Sequence, residues 1–224
     1  MFNDILNEEP YSHSYFSSFF SSIKGTKFEK DLMKTKYSLI ENKFNNILIE
    51  LGKRVDDDYK IDEFISLISS IQGTRLLEEK ITVILDALDE IKDSYVKRNV
   101  FDIVNYTIQG THLMKENIKL ILNSLEGIEN DDERRHAFGT LIYTINGTGL
   151  VEENFTAILN ILRKLEDHDL RRSAFYEIDH IIGQTSLLEN RFIDICNFLN
   201  EFPTAGKIYA FSSIINAIRV SIYR

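Results

Sequence analysis

The chain has no tryptophan, one cysteine and only two prolines among its 224 residues. With Cys196 alone, no intrachain disulfide can form, which fits a reducing compartment. Two prolines force few helix breaks, so the composition suits an all-helical protein. No apolar run approaches the ~20 residues of a membrane-spanning helix, so no membrane insertion is expected. Positive charge is the minority sign: 26 Lys and Arg face 35 Asp and Glu, a net charge of −9. Such a chain repels a nucleic-acid backbone, so nucleic acid is not expected as a partner. The N-terminal MFNDILNEEP has no basic stretch ahead of an apolar core, and no secretory leader is expected.

What the chain does have is a repeat. IQGT stands at Ile71–Thr74 and again at Ile108–Thr111, with IKGT at Ile23–Thr26, INGT at Ile145–Thr148 and IGQT at Ile182–Thr185. Ile71, Ile108, Ile145 and Ile182 follow one another at intervals of 37 residues. Seven residues before each motif Ile is a Phe: Phe16, Phe64, Phe101, Phe138, Phe175, and Phe211 before Ile218. An apolar residue follows three after each Phe, which makes one helical stripe, helix B. After the motif, Ile81, Ile84, Leu85, Leu88 and Ile91 and their equivalents in the next three units form a wider stripe, helix A. A strand alternates with period two and has no use for this spacing.

The punctuation agrees. Gly25, Gly73, Gly110 and Gly147 stand just past helix B, where a left-handed residue closes a helix, and Gly183 holds an inverted copy. The Thr that follows is expected to cap helix A or lead into it. Glu78, Glu79, Glu116, Glu152, Glu153 and Glu189 are expected in the first turn of helix A. Asp93, Asp131, Asp132 and Asp167, with Pro203-Thr204 in the last unit, are expected to cap helix B.

Each unit therefore reads as a helical hairpin that buries its stripes only against its neighbours. The expected fold is all-α, a right-handed α-solenoid of stacked hairpins with about 37 residues per repeat and five to six repeats. One repeat domain is expected over 1–224: a packing helix at 1–23, a long first repeat at 24–71, regular repeats at 72–108, 109–145 and 146–182, and a last repeat with a C-terminal helix at 183–224. The repeat phase reaches the last residues, so a longer array is an open expectation.

The pattern resembles the broad class of α-helical repeat proteins over about 12–222, nearest in length to HEAT-like and tetratricopeptide-like arrays. It lacks the Trp of the tetratricopeptide pattern and the first-helix Pro of the HEAT pattern. The F-x6-I-x-G-T signature is also similar to repeats in bacterial proteins of intracellular lifestyle, some of them delivered effectors. The resemblance implies a binding scaffold, either cytoplasmic or delivered to a host cell.

Motifs for chemistry are scarce. No phosphate loop, HExxH, CxxC or EF-hand loop occurs, so no catalytic, cofactor or metal residues are assigned. Glu177 and His180 have the spacing of a metal half-site, but no second Glu-x-x-His exists in the chain. Cys196 occupies a position held by Leu85, Leu122 and Leu159 and is expected in the core. Basic pairs precede the B-helix Phe: Lys97-Arg98, Arg134-Arg135 and Arg171-Arg172, with Gly206-Lys207 as a broken copy. Arg98, Arg135 and Arg172 would form a basic ladder for a phosphate or an acidic partner, or would pair with nearby acids. Tyr106, Tyr143, Tyr176 and His180 are the expected anchors of a partner surface on helix B, since aromatics give much contact energy per residue.

The leading expectation is a protein-protein interaction scaffold or adaptor without catalytic activity, an effector module among its forms, whose partner is another protein. One alternative is an enzyme whose site is assembled from scattered residues, which a deep polar pocket would favour. The other is a self-assembling structural rod, associating through its C-terminal edge, which a concentration-dependent mass would favour.

Overall fold

The computed structural model describes Thr26, Lys27, Asn46, Ile49 and residues 58–222. Within residues 58–222 lie eleven α-helices and no strand. They are α1 (Asp58–Ile71), α2 (Arg75–Glu90), α3 (Ser94–Ile108), α4 (His112–Glu126), α5 (Asp131–Ile145), α6 (Leu150–Glu153), α7 (Phe155–Arg163), α8 (His168–Gln184), α9 (Leu187–Asn190), α10 (Phe192–Asn200) and α11 (Thr204–Ile222). The expected packing helix at 1–23 and most of the long first repeat at 24–71 lie outside the described residues.

The B pattern is α1, α3, α5, α8 and α11, and the A pattern is α2, α4, α7 and α10. The motif Phe and Ile explain why. Phe64, Phe101, Phe138 and Phe175 are all fully buried, as are Ile108, Ile145 and Ile182. Burying each such side chain contributes about 1.5–3 kcal/mol, so the stripe decides which face of each helix turns inward.

The chain divides into two compact units, Met1–Ile108 and Gln109–Arg224. In the first, α1 packs on α3, and α2 packs on both. In the second, α5 packs on α8 and α8 on α11, a row of B helices, while α4 packs on α7 in a row of A helices. Within a hairpin, α4 meets α5, α7 meets α8 and α10 meets α11.

Gly73, Gly110 and Gly147 adopt φ of 67°, 70° and 74°, the left-handed conformation their position requires. At the inverted copy Gly183 is an ordinary helical residue, and α8 runs on to Gln184. Gly147 and Gly139 make opposite predictions. Nothing lies within 4 Å of a Cβ placed on Gly147, so Gly147→Ala meets only the left-handed backbone and is expected to cost about 1–2 kcal/mol. Gly139 is inside α5, and its added Cβ would meet Glu177 Oε1 at 3.8 Å, an ordinary contact. Gly139→Ala is expected to stabilise by about 0.5–1 kcal/mol. Urea unfolding followed by circular dichroism reads both signs.

The threonines work differently from the expected N-cap. Thr74 donates its hydroxyl back to Ile71 O at 2.6 Å, Thr148 to Ile145 O at 2.5 Å and Thr185 to Ile181 O at 2.9 Å. They close helix B. Thr148 and Thr185 also accept weakly from the amides of Leu150 and Leu187. Thr74 and Thr111 make no side-chain cap bond to the helices that follow them.

Three further expectations are corrected. The A helix is broken at Asn154 and Arg191, so Glu152, Glu153 and Glu189 lie in the separate turns α6 and α9. At the first break Asn154 Nδ2 donates to Leu150 O at 2.9 Å, a side chain competing with the backbone ladder. Glu79 falls beyond the first turn of α2 and Glu116 beyond that of α4. Asp93 and Asp167 do cap α3 and α8, but the cap of α5 is Asn130, which accepts from the Glu133 amide. Asp131 instead accepts from the amides of Glu166 at 2.7 Å and Asp167 at 3.2 Å, joining one hairpin's loop to the next.

Candidate functional site: the outer face of the B helices

A helix turns about 100° per residue, so the positions thirteen, nine, six and two before the motif Ile lie opposite its Phe–Ile stripe. Among these positions in Gln109–Arg224, His136 and Tyr143 on α5, Tyr176 and His180 on α8, and Tyr209 and Asn216 on α11 are exposed. Tyr143, Tyr176 and Tyr209 follow one another at 33 residues, and stand two, six and nine residues before their motif Ile. Each successive tyrosine thus stands about one helical turn nearer its helix's start, and the three form a diagonal over neighbouring helices. Of the expected anchors, Tyr143, Tyr176 and His180 lie together on this face. Tyr106 lies in the other unit, exposed on α3 with Tyr95. Tyr209 stands nine before Ile218, a repeat position that holds no tyrosine in the other units, so the repeat register does not point to it. The 33-residue spacing was the available signal.

The basic pairs divide by position. The inner residue of each pair turns to the hairpin loop. Arg134 Nε donates to Ile128 O at 2.7 Å, and Arg171 Nε to Leu165 O, the repeat-equivalent carbonyl, at 2.9 Å. Lys97, with a single ammonium, pairs with Asp89 at 3.6 Å. The outer residues meet carboxylates: Arg98 with Asp102 at 3.4 Å, Arg135 with Glu177 at 2.9 Å and Arg172 with Asp169 at 2.9 Å. Arg172 also stands 5.9 Å over the Tyr209 ring, and Arg98 5.1 Å over Tyr95. Arg98 and Arg172 each lie over an aromatic ring, and all three arginines meet a carboxylate within the fold. In α11, Lys207 takes the inner position and Ile208 the outer one, which corrects the expected Gly206-Lys207 register.

Glu177 is the counter-ion of Arg135, which draws it away from a metal-ligand role beside His180. Among the described residues no group of three or more His, Cys, Asp or Glu is placed to hold a metal ion. Cys196 is half-buried and not a core residue, unlike Leu85, Leu122 and Leu159 at the equivalent position.

Asp179, at the seam of α8 and α11, accepts from the Ser213 hydroxyl. Burial pushes its carboxyl above the usual range, and the His180 amide, the His180 side chain and Glu177 modulate it. A carboxyl raised in the folded state contributes its full stability below its unfolded value of about 4, and that contribution is lost as pH rises through the folded value. Asp179→Asn keeps an acceptor for Ser213 and removes the charge. The variant is expected to melt higher than wild type at pH 7, and the difference should shrink as pH falls toward 4, in a pH series of thermal melts.

No protein-family model, curated protein or solved structure matches the chain. No helix among the described residues is long and apolar enough to cross a membrane.

Proposed function

We propose that the protein is a non-catalytic scaffold that binds another protein through the outer face of its B helices. In this reading the chain is a right-handed α-solenoid of about five to six hairpins, working in the cytoplasm or, as a delivered effector, in a host cell. The observation that carries the reading is the diagonal of Tyr143, Tyr176 and Tyr209 on three adjacent helices. A tyrosine offers a large apolar ring and a polar tip at low conformational cost, which suits a recognition surface better than a solvated one. Arg172 behind Tyr209 restrains one ring before any partner arrives, which lowers the ordering cost of binding.

The test is capture of partners by the purified chain, compared with a Tyr143→Ala/Tyr176→Ala/Tyr209→Ala variant of equal helix content. A partner held by wild type and lost with the variant supports the reading. Partners indifferent to the three changes exclude this face, and Tyr106→Ala then examines the other unit.

A further inference from the structure

We infer that Asn146 is a self-modifying site: the Gly147 amide closes on the Asn146 side chain and leaves an aspartyl or isoaspartyl residue at the end of α5, without an enzyme. The I-x-G-T turns supply the comparison that isolates it. The residue x is Gln72, Gln109 and Asn146 in three successive turns. In each, the following glycine takes the same left-handed conformation, with φ of 67°, 70° and 74°. All three x residues and their glycines are exposed. At x the turns differ by one methylene, and Asn146-Gly147 is the only Asn-Gly pair in the chain.

That methylene governs the chemistry. Asparagine is among the heat-labile residues. Attack by the next residue's nitrogen on its side-chain carbonyl carbon closes a five-membered ring. From glutamine the ring would be six-membered, with one more rotor to freeze. Gln72 is also held, its Nε2 donating to Thr107 O at 3.4 Å. The nucleophile favours Asn146 as well. Gly147 has no Cβ to shield its nitrogen, and nothing lies within 4 Å of where a Cβ would stand.

The folded turn holds the reacting atoms apart until it opens. Asn146 has φ −58° and ψ 134°, and with Gly147 at φ 74° it forms a type II turn. Thr148 closes the turn. Its amide donates to Ile145 O at 3.2 Å, and its hydroxyl donates to the same oxygen at 2.5 Å. The Gly147 amide takes no part in that closure. Reaction needs ψ of Asn146 to rotate until Gly147 N reaches Cγ, against the two bonds from Thr148. An exposed turn opens locally at a small fraction of the cost of global unfolding.

The step balances with water as the one co-reactant. Gly147 N bonds to Asn146 Cγ and gives up its proton. The Cγ–Nδ2 bond breaks, and Nδ2 leaves with that proton as ammonia. Water then opens the succinimide at either carbonyl. Opening at Cγ gives aspartate. Opening at the backbone carbonyl gives isoaspartate, whose chain runs through Cβ. Either product puts a carboxylate at the C-terminal end of α5, where the helix dipole disfavours negative charge. Isoaspartate also adds one atom to the backbone of a four-residue turn.

The test incubates the purified full chain for several weeks at body temperature in mildly alkaline buffer and follows its peptides by mass spectrometry. Exchange of ammonia for water is expected at Asn146, with Gln72 and Gln109 unchanged over the same period. A protease that cuts before aspartate should cleave only part of the product, because isoaspartate resists it. Asn146→Gln writes the IQGT of the two earlier turns, so it keeps the fold, and is expected to abolish the change. Thr148→Val removes the hydroxyl bond and is expected to speed the change roughly fivefold, the worth of one hydrogen bond. The modified fraction, separated by its added negative charge, is expected to melt below fresh protein. An Asn146 that stays intact, an equal pace at Gln109, or a product that the protease cleaves completely overturns the proposal. A rate indifferent to Thr148→Val overturns the gating by the turn, and a modified fraction that melts with fresh protein overturns the effect on α5.

Discussion

Replacing Arg134 with alanine is expected to destabilise the protein by about 3–5 kcal/mol, the range for removing one member of a buried charged network. Its side chain is buried, and its guanidinium ties three segments together. Nε donates to Ile128 O at 2.7 Å and Nη2 to Glu129 O at 3.3 Å, just beyond α4. Nη1 donates to Asp131 Oδ1 at 2.8 Å and to Lys164 O at 2.8 Å, at the end of α7. Alanine leaves those carbonyls unpaired and frees Asp131, which also accepts from the amides of Glu166 and Asp167. Arg134→Lys is expected to recover only part of the loss, since one ammonium cannot span the fork of acceptors. Lys97 shows the limit: at the same repeat position its ammonium pairs with Asp89 at 3.6 Å. Chemical denaturation of the three proteins side by side measures the order wild type, Lys, Ala. An alanine variant as stable as wild type would refute the account of the loop.

Phe175→Ala is expected to cost about 3–5 kcal/mol and to lower Tm by roughly 10 °C. Phe175 is fully buried on α8 and packs against Phe198 of α10 at 5.5 Å between ring centroids, and against Phe202 at 6.4 Å. Phe198 and Phe202 meet edge to face at 5.3 Å, closing a three-ring cluster between hairpins. Removing one ring leaves a cavity that the other two cannot fill without leaving their contacts. Phe211→Ala is the matched control. It has the same repeat position and the same chemistry, but Phe211 is only half-buried, so its loss should be well under that of Phe175. Equal effects in thermal melts would show that the two sites are equally covered. That result would contradict the packing described.

Much of the fold was legible because its signals are periodic and local. The Phe-x6-Ile stripe located α1, α3, α5, α8 and α11, and it did so because an apolar Phe and Ile seven residues apart share one face at a helical period. Gly73, Gly110 and Gly147 marked the helix ends because only glycine takes positive φ there without strain. The inverted Gly183-Gln184 signalled an exception, and α8 ran on through it. The candidate face was half legible. Tyr143, Tyr176 and His180 could be named from register, but Tyr209 required recognising a second spacing superimposed on the repeat.

The sequence by itself therefore determined the all-helical class and the inward face of the helices that carry the Phe–Ile stripe among the described residues. These depend on side-chain period and backbone preference, which act within a few residues. Only the tertiary structure decided the fate of residues with two possible partners. Arg134 and Arg171 turned to loop carbonyls while Arg135 and Arg172 met carboxylates. Asp131 joined two loops while Asn130 capped the helix. Cys196, Phe192 and Phe211 remained uncovered where their equivalents are covered. Each of these depends on what lies across a helix seam, and a repeat in sequence states what a position prefers without stating whether a neighbour is there to satisfy it.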